Sequence, residues 1–347
     1  MTAAPALLES LLAGDRRALA RAITLIESSR PDHRAQAEAL LAAILPKTGS
    51  SVRIGISGPP GAGKSTFIER FGLAGIPHGH RLAVLAIDPA SKRRGGAILA
   101  DKTRMAELGR RPEAFIRPSS AGGGSGGVAR RTREAILLCE AAGFDTVIIE
   151  TVGAGQSETA AADLTDMFVL ILPPAAGDEL QGLKRGIVEL ADLVLVNKAD
   201  GELLGAARRT AADYANALRL VRPGASEGEV PVRAVSALEG TGVAEVWDDI
   251  ARLRIVRESS GDWAERRREQ VRAALWTEIE NTLLEQFRTA PPIAARLAAI
   301  EAEVVAGTLA PAVGARTLLT AFFGEARQLT TGQDRPQPRP PRGSTAG

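Results

Sequence analysis

The chain has 347 residues, enough for a large core with appendages. Hydrophobic residues make up 45% and charged residues 24%, with a formal net charge of +2; this soluble, globular balance gives no bulk charge to draw nucleic acid or an anionic membrane. The single cysteine, Cys139, excludes a disulfide framework and a Cys-rich zinc site, and three scattered histidines (His33, His78, His80) make no metal cluster.

Cysteine usage points to a reducing, cytoplasmic compartment, and no apolar run is long enough to span a membrane. The N-terminal segment carries Glu9, Asp15 and Glu27 and lacks a signal-type apolar stretch. Residues 5–45 read as two helices packed on the body. Leu7, Leu8, Leu11, Leu12, Leu19, Ile23 and Ile26 recur at helical spacing. Pro31 ends the first helix, and Asp32 is expected to cap a second through Ala35 to Ile44.

From 51 to 255 short apolar runs alternate with helical stretches, the pattern of a parallel sheet. The runs are Val52–Ser57, Leu82–Ile87, Thr146–Ile149, Met167–Leu172, Leu193–Val196 and Val232–Val235. They lack polar alternation, so helices should cover both sheet faces. Beyond 262 a long helix is expected over Trp263–Arg288, with Val271, Leu275, Ile279, Thr282 and Leu283 on one stripe, ended by Pro291-Pro292. Shorter helices follow around Ile293–Ala306 and Pro311–Phe323, and the Pro- and Arg-rich end reads as disordered.

The first run leads into Gly58-Pro59-Pro60-Gly61-Ala62-Gly63-Lys64-Ser65, followed by Thr66, which fits G-x-x-x-x-G-K-[ST] between a strand and a helix. Glycines let successive N–H groups face a phosphate, and the helix start adds its positive dipole end. Lys64 supplies charge to the β- and γ-phosphates, and Ser65 a hydroxyl to Mg²⁺. Asp88 closes the second run and Glu150 the third, both at carboxyl ends of strands, where ligands of such sheets bind. Either carboxylate suits magnesium. Glu150-Thr151-Val152-Gly153 resembles the D-x-x-G of GTPases, which would aim the Gly153 N–H at the γ-phosphate.

Asn197-Lys198-Ala199-Asp200 reads N-K-x-D after a strand. Asp200 matches the paired donors of guanine, N1–H and the exocyclic amine. Adenine lacks that pair, and an unpaired buried carboxylate discriminates by roughly 10⁴. Lys198 is expected to lie along the base plane. Ser236-Ala237-Leu238 matches the S-A loop whose backbone meets the guanine carbonyl. The expected ligands are therefore GTP or GDP with Mg²⁺.

Longer motifs carry a family resemblance: Asp88 through Asp101 to Met105, Phe115-Ile-Arg-Pro-Ser119, Glu150 through Thr159, and Ala176 through Lys184. They resemble the MeaB/ArgK family over roughly residues 5–325. The resemblance implies an α/β P-loop GTPase: a mostly parallel sheet flanked by helices, with N- and C-terminal helical extensions. With the residue patterns above, the expected domains are an N-terminal helical extension at 1–48, a GTPase domain at 49–258, a C-terminal helical arm at 259–326, to which the resemblance assigns dimerisation, and a disordered tail at 327–347. The resemblance further implies a GTPase chaperone that gates adenosylcobalamin loading and protects a B12-dependent acyl-CoA mutase, chiefly methylmalonyl-CoA mutase, and a homodimer. Ethylmalonyl-, isobutyryl- and hydroxyisobutyryl-CoA mutases are alternative partners.

Within the resemblance, Asp88 and Asp101 fall in a first switch and Glu150 in a second, serving magnesium or hydrolysis. Asp178, Gln181 and Lys184 match a third switch that couples nucleotide state to the mutase. Ala90 and Ala100 depart from the family's Ser and Gly, Lys92-Arg93-Arg94 makes the first switch unusually basic, and the stretch 121–127 is unusually glycine-rich. Ala154 follows Gly153, so the usual water-orienting Gln is missing there, and no arginine finger is evident. A low intrinsic rate is expected. A nickel-delivery GTPase and a small-molecule kinase of amino-acid transport are the competing classes. The first would carry Cys/His clusters, and N-K-x-D argues against the second.

Overall fold

The computed structural model describes residues 3–28, 30–88, 105–120, 125–151, 157–174, 185–221 and 230–332. The chain divides into two compact units, Met1–Ala274 and Leu275–Gly347.

The first unit opens with helices α1 (Ala3–Leu12), α2 (Arg16–Glu27) and α3 (Pro31–Ile44). Two helices were expected here. Gly14 turns the chain at φ +80°, and the Asp15 carboxylate accepts from Ala18 N at 2.7 Å, starting α2 afresh. Asp32 is not a cap, because the helix begins one residue earlier at Pro31, whose fixed φ suits the first helical position; Asp32 instead pairs with Arg30 at 2.7 Å. Leu11, Leu19, Ile23 and Ile26 are buried, as the helical spacing predicted, whereas Leu7 and Leu8 are half-buried and Leu12 is exposed.

Strands and helices then alternate: β1 (Val52–Ser57), α4 (Lys64–Gly75), β2 (Leu82–Asp88), α5 (Ala106–Arg110), β3 (Ala114–Ser120), α6 (Ser125–Ala141), β4 (Thr146–Thr151) and α7 (Ser157–Ala162). There follow β5 (Met167–Leu172), α8 (Arg185–Leu190), β6 (Leu193–Val196), α9 (Leu204–Val221), β7 (Val232–Ala234) and α10 (Ala244–Ser260). Among the described residues the strands form a seven-stranded sheet, order β3-β2-β4-β1-β5-β6-β7, with every pairing parallel. Six strands follow the apolar runs. β3 went unread because Arg117 and Pro118 interrupt its apolar residues. It lies at a sheet edge, where a residue without an N–H is tolerated.

Both faces are covered, as continuous apolar runs require. One face (Val147, Ile149, Leu170) packs with residues of α2 and α6 such as Ile23 and Leu138. The other (Ile54, Ile56, Ile148, Ile171) packs with Phe67 and Phe71 of α4 and Val246 and Ile250 of α10. Cys139 lies in the first cluster, where burial first and then the Glu140 charge push its thiol well up, so it is inert packing.

Aspartates tie down the amino edge of the sheet. Asp145, Asp166 and Asp192 stand immediately before β4, β5 and β6. Their carboxylates accept from Arg81 N (2.8 Å), Arg53 N (2.8 Å) and Phe168 N (2.7 Å) of neighbouring chain segments. Arginines neutralise two of them: Arg257 donates to Asp192 at 2.5 Å and to the Asp166 carbonyl at 2.7 Å, and Arg267 donates to Asp166 at 2.7 Å. Nearby, burial raises the Glu140 pKa, but Arg53, Ser51 and Gly49 N–H outweigh it and hold the carboxyl below its ordinary range.

Arg267 belongs to α11 (Asp262–Thr289), whose last part begins the second unit. That unit continues with α12 (Pro291–Ala294), α13 (Leu297–Val305) and α14 (Pro311–Gly332). The helix expected over Ile293–Ala306 is therefore two, and the last helix runs past Phe323 because no proline intervenes before Pro336. None of the α11 residues is buried, including the Val271–Leu283 stripe. No described helix is long and apolar enough to cross a membrane.

Arg257 and Asp192 are almost fully buried, with side chains 4% and 5% exposed. Arg257→Ala strands the Asp192 charge and should reduce unfolding free energy by about 3–5 kcal/mol. Urea unfolding checks this; a midpoint equal to wild type contradicts it.

Candidate functional site

An all-parallel sheet delivers every strand's carboxyl end to one edge, so the loops after β1, β6 and β7 and the end of β4 lie there together. The loop after β1 curls tightly. Gly58 has φ +149°, and a Cβ there would stand 1.9 Å from the Ile171 carbonyl oxygen of β5. Gly63, at φ +89°, is the N-cap of α4, and a Cβ there would meet Asn197 Nδ2 at 2.5 Å. Only glycine fits either position. Pro59, Pro60 and Gly61 complete the curve, and Ala62 is buried beneath it.

Lys64 opens α4 and bends back into the loop. Its ammonium donates to the Gly58 carbonyl at 2.7 Å and the Pro59 carbonyl at 3.2 Å. It is thereby centred under a ring of backbone at a helix start, a cationic seat for phosphate. Ser65 is buried and donates to Glu150 Oε1 at 2.8 Å, while Thr66 is exposed. The hydroxyl and the carboxylate are hard oxygen donors side by side, a set that suits Mg²⁺. Asp88 closes β2 as expected, and the structure describes its backbone. Asp101, Gly153, Asp178, Gln181 and Lys184 lie outside the described residues, as do the basic stretch Lys92-Arg93-Arg94 and Gln156. Of the glycine-rich stretch, 121–124 lies outside them, and Ser125 onward is the start of α6.

The N-K-x-D segment follows β6. Asn197 is buried and makes two bridging bonds: its Nδ2 donates to the Ala62 carbonyl at 2.8 Å, and its Oδ1 accepts from Ala237 N at 2.9 Å. One side chain thus joins the phosphate loop to the Ser236-Ala237-Leu238 loop. Lys198 takes φ +59°, rare for a residue with a side chain, and its side chain is exposed. This turn points Asp200 back toward Ser236, whose hydroxyl donates to Asp200 Oδ2 at 2.5 Å. The Ser236 hydroxyl also accepts from Glu239 N at 3.0 Å, which tightens its loop. The sequence reading gave Ser236 a backbone role alone and missed this side-chain grip on Asp200. It also missed Arg70 of α4, which donates to the exposed Leu238's carbonyl at 3.2 Å, and the buried Thr151–Ser57 hydroxyl pair at 2.8 Å. Such contacts link residues far apart in sequence, so no local pattern announces them.

The same lineage appears in independent comparisons. A family model described as "Methylmalonyl Co-A mutase-associated GTPase MeaB" matches residues 19–292. The mitochondrial methylmalonic aciduria type A homolog of Mus musculus is 48% identical over 322 residues, covering 90% of this chain and 78% of the mouse protein. The GTPase ArgK of Escherichia coli is 46% identical over 257 residues, covering 74% of this chain and 78% of that protein. A crystal structure of an LAO/AO transport system kinase superposes with a TM-score of 0.72 at 35% identity, covering 94% of this chain and 97% of the other.

Asn197→Ala leaves the Ala62 carbonyl and Ala237 N–H without the partner each has in the folded protein. A loss of about 1–3 kcal/mol in stability is expected, with weaker nucleotide binding. Thermal melting and fluorescent-GDP titration measure both; unchanged affinity would remove the bridging role.

Proposed function

The chain belongs to the MeaB family of mutase-associated GTPases, and from that premise we propose that it hydrolyses GTP to time the service of an adenosylcobalamin-dependent acyl-CoA mutase. The GTPase reading is carried by one observation: Asn197 bonds both the Lys64 loop and the loop that grips Asp200. Triphosphate recognition and base recognition are thereby parts of one rigid frame.

In the proposed reaction a water attacks the γ-phosphorus, the bond to the bridging oxygen breaks, and GDP and phosphate leave. The chain's part is to place and neutralise charge. The N–H groups of Gly61–Ser65 would cradle the phosphates, and Lys64 would balance the charge on their oxygens. Ser65 and Glu150 would hold Mg²⁺, with Asp88 and Asp101 joining them on the resemblance, and the ion would neutralise charge between the β- and γ-phosphates. The Gly153 N–H is assigned to the γ-phosphate on the same ground. Asp200, braced by Ser236, accepts from guanine N1–H and the exocyclic amine. Lys198 flanks the base, and the backbone of Ala237 and Leu238 meets its carbonyl.

The mutase role rests on the family description and on the mouse relative's name. Methylmalonyl-CoA mutase is the proposed partner, with cobalamin loading the step that is gated and Asp178, Gln181 and Lys184 the coupling segment. A homodimer through the C-terminal unit is part of the proposal. Its support is the apolar surface of that unit, where Leu275 and Trp276 are each 60% exposed and Leu283 is 53% exposed. The transport-system kinase named in the solved relative is a different activity, and Asp200 with Ser236 favours guanine-nucleotide hydrolysis over it.

Two outcomes are expected. Turnover of the protein alone is slow and rises about tenfold or more with the mutase present; fast hydrolysis without a partner contradicts this. Asp200→Asn lowers the preference for GTP over xanthosine triphosphate by on the order of 10³-fold, read by competition binding. An unchanged preference removes Asp200 from base recognition.

A further inference from the structure

Strands β1 and β4 pair in register from Val52↔Thr146 to Ile56↔Glu150, and there their mutual pairing stops. Each runs one residue further against its other neighbour: Ser57 pairs with Leu170 of β5, and Thr151 with Ile87 of β2. The sheet therefore opens between β1 and β4 at the level of Ser57 and Thr151, directly below the phosphate loop and directly after Glu150. Two side-chain bonds cross at this opening. Ser65 donates to Glu150 at 2.8 Å, and Thr151 Oγ1 donates to Ser57 Oγ at 2.8 Å.

The two bonds lie on opposite faces of the sheet. Side chains alternate along a strand, and in-register neighbours share a face. Glu150 shares the face of Ile148, which packs with α4; Thr151 shares the face of Ile149, which packs with α6. Ser57 and Thr151 are both fully buried. Their hydroxyls thus replace the backbone pairing that ends one residue earlier, in surroundings where an unmet hydroxyl is expensive.

We propose that Thr151 is a positioning residue: its hydroxyl bond to Ser57 fixes the root of the Glu150 carboxylate relative to the phosphate loop. This rests on the GTP-hydrolysis reading above and on Ser65 and Glu150 as the magnesium pair. A cation would take a lone pair of the Ser65 oxygen and leave its O–H with Glu150, so that bond reports on the metal pair and does not tie β1 to β4. The Ser57–Thr151 bond is the side-chain link between β1 and β4 at this level. Losing it should loosen where Glu150 stands while leaving the loop glycines and Asp200 untouched. Rate and magnesium requirement should change, and nucleotide affinity should not.

The test uses the purified full-length chain with GTP and Mg²⁺. Thr151→Val keeps shape and removes the hydroxyl. It should lower kcat about tenfold, raise the Mg²⁺ concentration for half-maximal rate, and leave fluorescent-GDP affinity within about threefold. Thr151→Ser should restore all three. Ser57→Ala removes the same bond from the other strand and should behave alike, with the double variant no worse than either single one. Should Thr151→Val fail to fold, Ser57→Ala carries the test by itself. Wild-type kcat and magnesium dependence in the hydroxyl-less variants, a loss that Thr151→Ser does not repair, or additive losses would each overturn the inference. A wild-type chain that hydrolyses no GTP overturns the underlying reading as well; a hydrolysing wild type with indifferent variants overturns the inference alone.

Discussion

A single carboxamide joins the two halves of the candidate site. Asn197 donates to the phosphate loop and accepts from the Ser236-Ala237 loop, and it is buried while doing so. Both bonds are made where water cannot substitute, so each fixes a distance rather than merely adding stability. Gly63 is forced by the same contact, since any larger residue would collide with the amide. The left-handed turn at Lys198 follows from holding Asn197 in one direction and Asp200 in another. The phosphate loop and the Ser236-Ala237 loop are consequently held in one frame, and that frame is only as accurate as the register of β1, β5 and β6 beneath it.

The two edges of the sheet divide the work. At the carboxyl edge β1, β2 and β4 end in hydroxyls and carboxylates (Ser57, Asp88, Glu150 and Thr151), and a glycine follows Ser57. At the amino edge three strands, β4, β5 and β6, follow aspartates whose oxygens take neighbouring backbone N–H groups, and arginines from α10 and α11 close over two of these. Paired, these buried charges specify register; broken, they are costly. Within the first unit, Arg257 ties α10 and Arg267 ties the start of α11 to the segment before β5, through the Asp166 carbonyl and carboxylate respectively.

Much of this was legible in the residues. Six strands follow uninterrupted apolar runs because a strand buried on both faces tolerates nothing else. The P-loop was readable because backbone curvature demands glycine at fixed spacing, and N-K-x-D because its residue order follows directly on an apolar run. β3 escaped because Arg117 and Pro118 are acceptable only at an edge, and edge position is a property of the assembled sheet. The break at Gly14-Asp15 escaped because the apolar repeat resumes in phase across it. Ser236 on Asp200, Thr151 on Ser57 and Arg257 on Asp192 were invisible for a different reason: each pair is tens of residues apart, and only the register brings it together.

The guanine assignment is the claim on which the rest turns, and displacement of fluorescent GDP by unlabelled nucleotides tests it most directly. In the presence of Mg²⁺, GTP and GDP should displace the probe from the full-length chain at concentrations lower than ATP by on the order of 10³-fold. Equal displacement by ATP and GTP would contradict the role given to Asp200 and Ser236, and with it the frame built on Asn197.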